Sequence, residues 1–169
     1  MINRSICIFP QFDNIEKINE VRMKYDSLHD LILPHISLVF PFTSSIVKED
    51  LMKHIKEAVT DVSPFELTLK GITGNNNQYL FLNVKKGNDE LIELHDRLYT
   101  GILKDFLNRN VSYIPHMTVG RINKKEQFEK AIDETKDFNY IFNTRISELT
   151  VEIIEEDESS KIEFKIELM

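Results

Sequence analysis

Apolar positions recur along the chain with a period of either two or three to four, and the switches between those periods predict the elements. Arg4 to Phe9 reads as a strand. Ile15, Ile18, Val21 and Tyr25 then fall at helical spacing, behind a capping-box pattern of Asp13 and Glu16. After about ten residues comes the strand-like Pro34-His35-Ile36-Ser37-Leu38-Val39-Phe40, and Ser45 is placed to cap a second helix carrying Val47, Leu51, Ile55, Ala58 and Val59. Phe65 to Lys70 and Tyr79 to Val84 form a predicted hairpin around Gly71 and the turn-rich Gly74-Asn75-Asn76-Asn77. Asn88 opens a third helix with Leu91, Leu94, His95, Leu98 and Ile102 facing inward. The strand Pro115-His116-Met117-Thr118-Val119 follows, then a second capping box, Asn123 with Glu126, before a fourth helix containing Phe128, Ala131 and Ile132. At the end, Ile162, Phe164, Ile166 and Leu168 alternate with charged residues. That strand is expected to pair with Ile146 to Ile154 across an acidic turn.

Read this way, the chain contains one unit twice: helix, ten-residue passage, Pro-His strand, helix, further strands. The offsets match, from Tyr25 to His35 and from Phe106 to His116. Within the repeat lies a shared string of Pro, His, an apolar residue, Ser or Thr, and another apolar residue. Two chance copies are expected in on the order of one chain in a hundred thousand of this composition. In a strand, residues two apart share a face. His35 and Ser37 therefore look one way while Ile36 and Leu38 enter the core, and His116 and Thr118 behave alike.

Such a pair suits acid–base chemistry at phosphorus. Imidazole titrates near neutrality, so one ring can accept a proton from water while its opposite number donates one to a leaving oxygen. Each adjacent hydroxyl offers a donor to a phosphate oxygen. His29, His54 and His95 lack the pattern and read as structural. A zinc site on His35 and His116 would need a third ligand, and neither His-Glu-x-x-His nor Cys-x-x-Cys spacing is present to supply one. No metal and no cofactor are expected.

Composition narrows the ligand. With 41% hydrophobic and 29% charged residues, the 169-residue chain is long enough for one globular domain, expected to comprise two lobes over 1–169. A net charge of −7 argues against coating long double-stranded nucleic acid, which needs a basic surface. One short anionic group held in a pocket remains compatible. No run reaches the length of a membrane span, and the first residues lead directly into strand-like sequence, so the expected location is cytoplasmic, with a monomer favoured. Cys7, the single cysteine, reads as a small buried side chain. Glu152, Glu155, Glu156, Asp157 and Glu158 read together as a solvated turn.

At its two His-x-Ser/Thr motifs the sequence resembles the two-histidine (2H) phosphoesterase superfamily, which includes bacterial 2′-5′ RNA ligase-like proteins. The stretch Val21-Arg22-Met23-Lys24-Tyr25 leading to Pro34 through Phe40 is most similar to the small bacterial phosphoesterases of that group. The resemblance implies an α+β fold: a bilobal pseudo-twofold duplication with two antiparallel sheets facing a central cleft and helices outside. It implies His35 and His116 as the catalytic pair, Ser37 and Thr118 as phosphate-holding hydroxyls, and hydrolysis of a 2′,3′-cyclic phosphate or 2′-5′-linked RNA or nucleotide without metal. The implied partner is thus a small nucleotide or an RNA-terminal phosphate. Arg121 stands where relatives often carry a phosphate-binding arginine. Simple alternation points it away from His116, whereas a bulge at Gly120 restores it. Phe40 and Phe42 have the parity of core residues, with base stacking as the alternative. A non-catalytic nucleotide- or RNA-end-binding module on the same fold is the competing reading.

Overall fold

In the computed structural model, which describes residues 1–169, eight strands form two four-stranded antiparallel sheets. The first sheet contains β1 (Ile2–Ile8), β2 (Ile36–Ser44), β7 (Glu148–Ile154) and β8 (Ser160–Glu167), in the order β2-β1-β7-β8. The second contains β3 (Phe65–Asn75), β4 (Tyr79–Lys86), β5 (His116–Arg121) and β6 (Ile141–Ile146), in the order β5-β4-β3-β6. Four helices complete the chain: α1 (Ile15–Tyr25), α2 (Lys48–Ala58), α3 (Asn88–Leu98) and α4 (Lys125–Thr135). None is long and apolar enough to cross a membrane.

The duplication is visible in the order of elements: β1-α1-β2-α2 in the first half corresponds to β4-α3-β5-α4 in the second. The two motif strands, β2 and β5, occupy corresponding edges of their sheets and lie against each other. The helices are exchanged across that junction. Helix α1 packs on β5, and α3 packs on β2. There, His95 of α3 donates from Nδ1 to the Leu38 carbonyl at 2.8 Å, and the Phe40 amide donates to the Tyr99 hydroxyl at 3.0 Å. A single continuous cluster of 36 buried apolar residues runs through both sheets, so the lobes share their interior.

Several expectations are corrected by local geometry. None of the side-chain caps forms: the helices begin at Asn14, Val47 and Lys124 with no side-chain cap hydrogen bond, leaving Asp13, Ser45 and Asn123 uninvolved. Helix α3 stops at Leu98, and a 3-10 turn over Gly101–Phe106 leaves Ile102 exposed, because tighter winding breaks the 3.6-residue stripe. The predicted strand from Ile146 to Ile154 is two strands divided at Ser147; Ile146 pairs with Phe65 in the second sheet, whereas Leu149 pairs with Ile166 in the first. Opposite Val151 and Glu152 the register of β8 slips by one, which turns Ile162 outward while Phe164 stays inside. Glu163 is thereby free to bind the buried Arg4, whose guanidinium donates to both carboxylate oxygens at 2.7 and 3.0 Å.

Candidate active site

Each Pro-His motif enters its strand in the same way. Proline fixes its own φ and keeps the preceding residue extended, so the chain arrives straight at the histidine. The ring then turns back on the backbone. His35 Nδ1 lies 2.8 Å from the Leu33 carbonyl, and His116 Nδ1 lies 2.6 Å from the Ile114 carbonyl. A carbonyl only accepts, so in both rings Nδ1 carries the proton and Nε2 is left for the cleft. Each imidazole is backed by an aromatic ring: Phe9 at 5.7 Å from His35 and Phe81, stacked at 3.5 Å, on His116.

The two histidines share one electrostatic environment. Burial lowers the pKa of both, and the charge of His35 lowers that of His116 further. Arg121 acts in the same direction on each. Opposing these effects at His35 are the Leu33 carbonyl and the carboxylate of Glu152. His116 gains only the Ile114 carbonyl.

Strand register decides which neighbours face the cleft. In β5 and β4, Asn83 stands opposite His116, Phe81 opposite Thr118, and Tyr79 opposite Arg121, with the register slipping between Leu80 and Phe81. That slip leaves Val119 as an extra residue, so Arg121 returns to the face of His116 and Thr118. Glycine is needed at the bulge, since a Cβ on Gly120 would come within 2.9 Å of Leu80. In the first sheet, Cys7 stands opposite Ser37, and Ser5 opposite Glu152. Ser37 and Thr118 are both half-buried beside their histidines.

The aromatic expectations divide. Phe42 is buried in van der Waals contact with Phe106, their ring centroids 5.0 Å apart, and offers no face to a ligand. Phe40 is half-buried on the Ser37 side of β2, because β2 also bulges, between Ser37 and Val39. Its ring lies 6.3 Å from that of Tyr113. Tyr113 in turn donates to the Ser37 carbonyl at 2.9 Å and stacks on His95 at 3.8 Å. Phe40 thus packs into an aromatic group at the junction of the lobes.

Three residues of this region escaped the sequence reading of the site. Arg22, buried in α1, donates to Asp26 at 2.9 Å and to the Ile32 carbonyl at 2.7 Å, pinning the passage that delivers His35. Asp26 also accepts from Arg121 Nη1. Burial alone would raise the Asp26 pKa, but Arg121, the Leu28 amide and Arg22 outweigh it and hold the carboxyl below its usual value. The i, i+4 spacing of Arg22 and Asp26 was the available signal. Glu152, expected in a solvated turn, is instead 1% exposed at the centre of the first sheet. It accepts from the Ser5 hydroxyl at 2.5 Å and from the Cys7 thiol at 3.6 Å, and its Oε2 has no partner. Burial and the Glu152 charge together push the Cys7 thiol pKa upward, so it remains protonated. No three His, Cys, Asp or Glu side chains converge anywhere as a ligand set for a metal.

The model of the 2′-5′ RNA ligase superfamily matches residues 10–158. A protein of Geobacillus sp. (strain WCH70) described as "Putative phosphoesterase" is 34% identical over 119 residues, 69% of this chain and 67% of its own. One with the same description from Halalkalibacterium halodurans is 29% identical over 125 residues, 71% of this chain and 70% of its own. Among solved structures, E. coli LigT complexed with 3′-AMP superposes with a TM-score of 0.67 over 99% of this chain and 98% of that one, at 16% identity. A structure described as a phosphoesterase gives 0.66 at 14% identity, over 100% of this chain and 99% of the other. At such identities the structures speak for the fold, an α+β pair of antiparallel sheets with helices, while the matched model and the Geobacillus relative establish descent: the chain belongs to the 2′-5′ RNA ligase superfamily of two-histidine phosphoesterases.

Proposed function

We propose that the chain hydrolyses a 2′,3′-cyclic phosphate, or a related 2′-5′ diester, on a small nucleotide or an RNA end, with His35 and His116 as the acid–base pair and no metal. The observation that carries this reading is the matched anchoring of the two rings. Both Nδ1 atoms are committed to a backbone carbonyl two residues upstream, so both Nε2 atoms are available for proton transfer. One Nε2 takes a proton from water as its oxygen attacks phosphorus; the other gives its proton to the departing ribose oxygen. The hydroxyls of Ser37 and Thr118 donate to non-bridging oxygens, and Arg121, oriented by Asp26, supplies positive charge.

The halves are unequal, which supports a division of roles. Glu152 favours the cation on His35 against Arg121 and Arg22, whereas at His116 no carboxylate offsets His35 and Arg121. His35 is therefore the acid in hydrolysis and His116 the base.

The test is an assay of 2′,3′-cyclic nucleotides and of RNA ending in a 2′,3′-cyclic phosphate, in excess chelator, with His35→Ala and His116→Ala alongside. Each substitution is expected to lower the rate by about 10²- to 10⁴-fold. Tight binding without turnover identifies a non-catalytic module instead; activity lost to chelator identifies a metal mechanism.

A further inference from the structure

Outward from Arg121 the chain continues through Ile122, Asn123 and Lys124 into α4, and the last turn of α1 runs alongside. Between them lies a groove of about 560 Å³. Its walls carry Lys24, Arg121, Lys124 and Lys130 against Glu134, with Asp26 bonded to Arg121, which leaves cations in excess. This concentration of positive charge stands on a molecule whose net charge is −7. Glu134 accepts from Lys24 and from the Tyr25 hydroxyl and lies 3.6 Å from Lys130, so it spaces the two lysines along the wall. Lys124 precedes the first turn of α4, where the positive end of the helix dipole adds to its field. At its inner end Arg121 stands on the face of β5 that carries His116 and Thr118, so the groove borders the cleft between the two histidines.

We propose that this groove is a second phosphate subsite, which takes the phosphate adjoining the scissile one. On the reading of the cleft given above, one end of the substrate lies between His35 and His116. A basic groove bordering that point is suited to a flexible anionic strand. A nucleoside cyclic monophosphate has nothing to place there. The preferred substrate therefore carries at least one more phosphate, either a further phosphodiester of an RNA strand or a 5′-phosphate on the terminal nucleoside.

Three substrates separate these sources: a nucleoside 2′,3′-cyclic monophosphate, the same nucleoside bearing a 5′-phosphate, and a short single-stranded RNA with a 2′,3′-cyclic end. They are compared in the intact protein and in Lys124→Glu, with Lys53→Glu on α2 as an exposed control. For a substrate that fills the groove, Lys124→Glu is expected to raise KM about three- to tenfold with kcat little changed. The slope of log affinity against log salt should fall by about one. The cyclic monophosphate should not respond. A response shared by the 5′-phosphorylated nucleoside identifies a terminal phosphate, and a response confined to RNA identifies a phosphodiester. Fluorescence anisotropy of a labelled RNA ending in a 3′-phosphate reads the groove without turnover, so an inactive protein that still loses RNA affinity in Lys124→Glu sinks the catalytic reading and keeps the groove. Equal effects on all three substrates, or no effect on either RNA binding or KM, overturn the subsite.

Discussion

Glu152 is a buried carboxylate in a strand whose neighbours Leu149 and Val151 line the core, and its alternation with them places it on the cleft side, near His35. Replacing it by Gln preserves shape and the Ser5 contact but removes the charge that favours the His35 cation. Arg121, Arg22 and His116 also face that ring, and none of them supplies negative charge. With His35 as the acid, Glu152→Gln should move the upper limb of the kcat/KM profile to lower pH by about half a unit to one unit. A uniform fall in rate with the limbs unmoved would mean that Glu152 only supports the strand. The limbs belong to the coupled pair rather than to one ring. At this scale the sequence displayed the histidines and hydroxyls, since a repeated string needs no structure to be noticed. Glu152 was hidden by the acidic residues that follow it, because composition does not say which glutamate of a run still belongs to the strand.

The exchanged helices give the site its connectivity. Asp26 sits at the end of α1, bonds Arg22 within its own half, and reaches Arg121 on β5 in the other. Two guanidinium groups thus depend on one carboxylate with no side-chain exposure. Asp26→Ala should lower stability by about 3–5 kcal/mol, since it leaves buried charge uncompensated. It should also weaken substrate binding through a misplaced Arg121, seen as a rise in KM beyond any loss of folded protein. Because the folded pKa of Asp26 lies below the usual value of 3.8, its contribution is present above that pH and fades as pH falls through the folded value. Urea midpoints between about pH 5 and pH 3 should accordingly fall less steeply in Asp26→Asn than in the parent. Element types were largely readable, because strands and amphipathic helices differ in period. Caps and ends were not: Asp13, Ser45 and Asn123 have suitable chemistry, but tertiary packing set the helix starts a residue or two away from them. The parity of Arg121 stood open for a similar reason, since only the pairing of β5 with β4, which skips Val119, reveals where the bulge falls.

For the molecule as a whole, burial holds the pKa values of His35, His95 and His116 below 6.5. The unfolded chain then binds more protons than the folded one as pH drops through that value. Stability should be full above about pH 6.5 and decline as pH falls toward the folded pKa values, so the urea midpoint at pH 5.5 should lie below that at pH 7.5. His95→Gln should lessen the difference. Which strands share a sheet was the least legible feature, because β6 and β7 are adjacent in sequence at Ser147 yet belong to opposite lobes. Long-range pairing of this kind leaves no local periodic trace. It also joins the first strand to the last two, since β1 lies between β2 and β7. Neither half of the duplicated chain is complete alone: each takes one helix from its sibling, and His35 and His116 come to a common junction only when both halves have been synthesised and wrapped together.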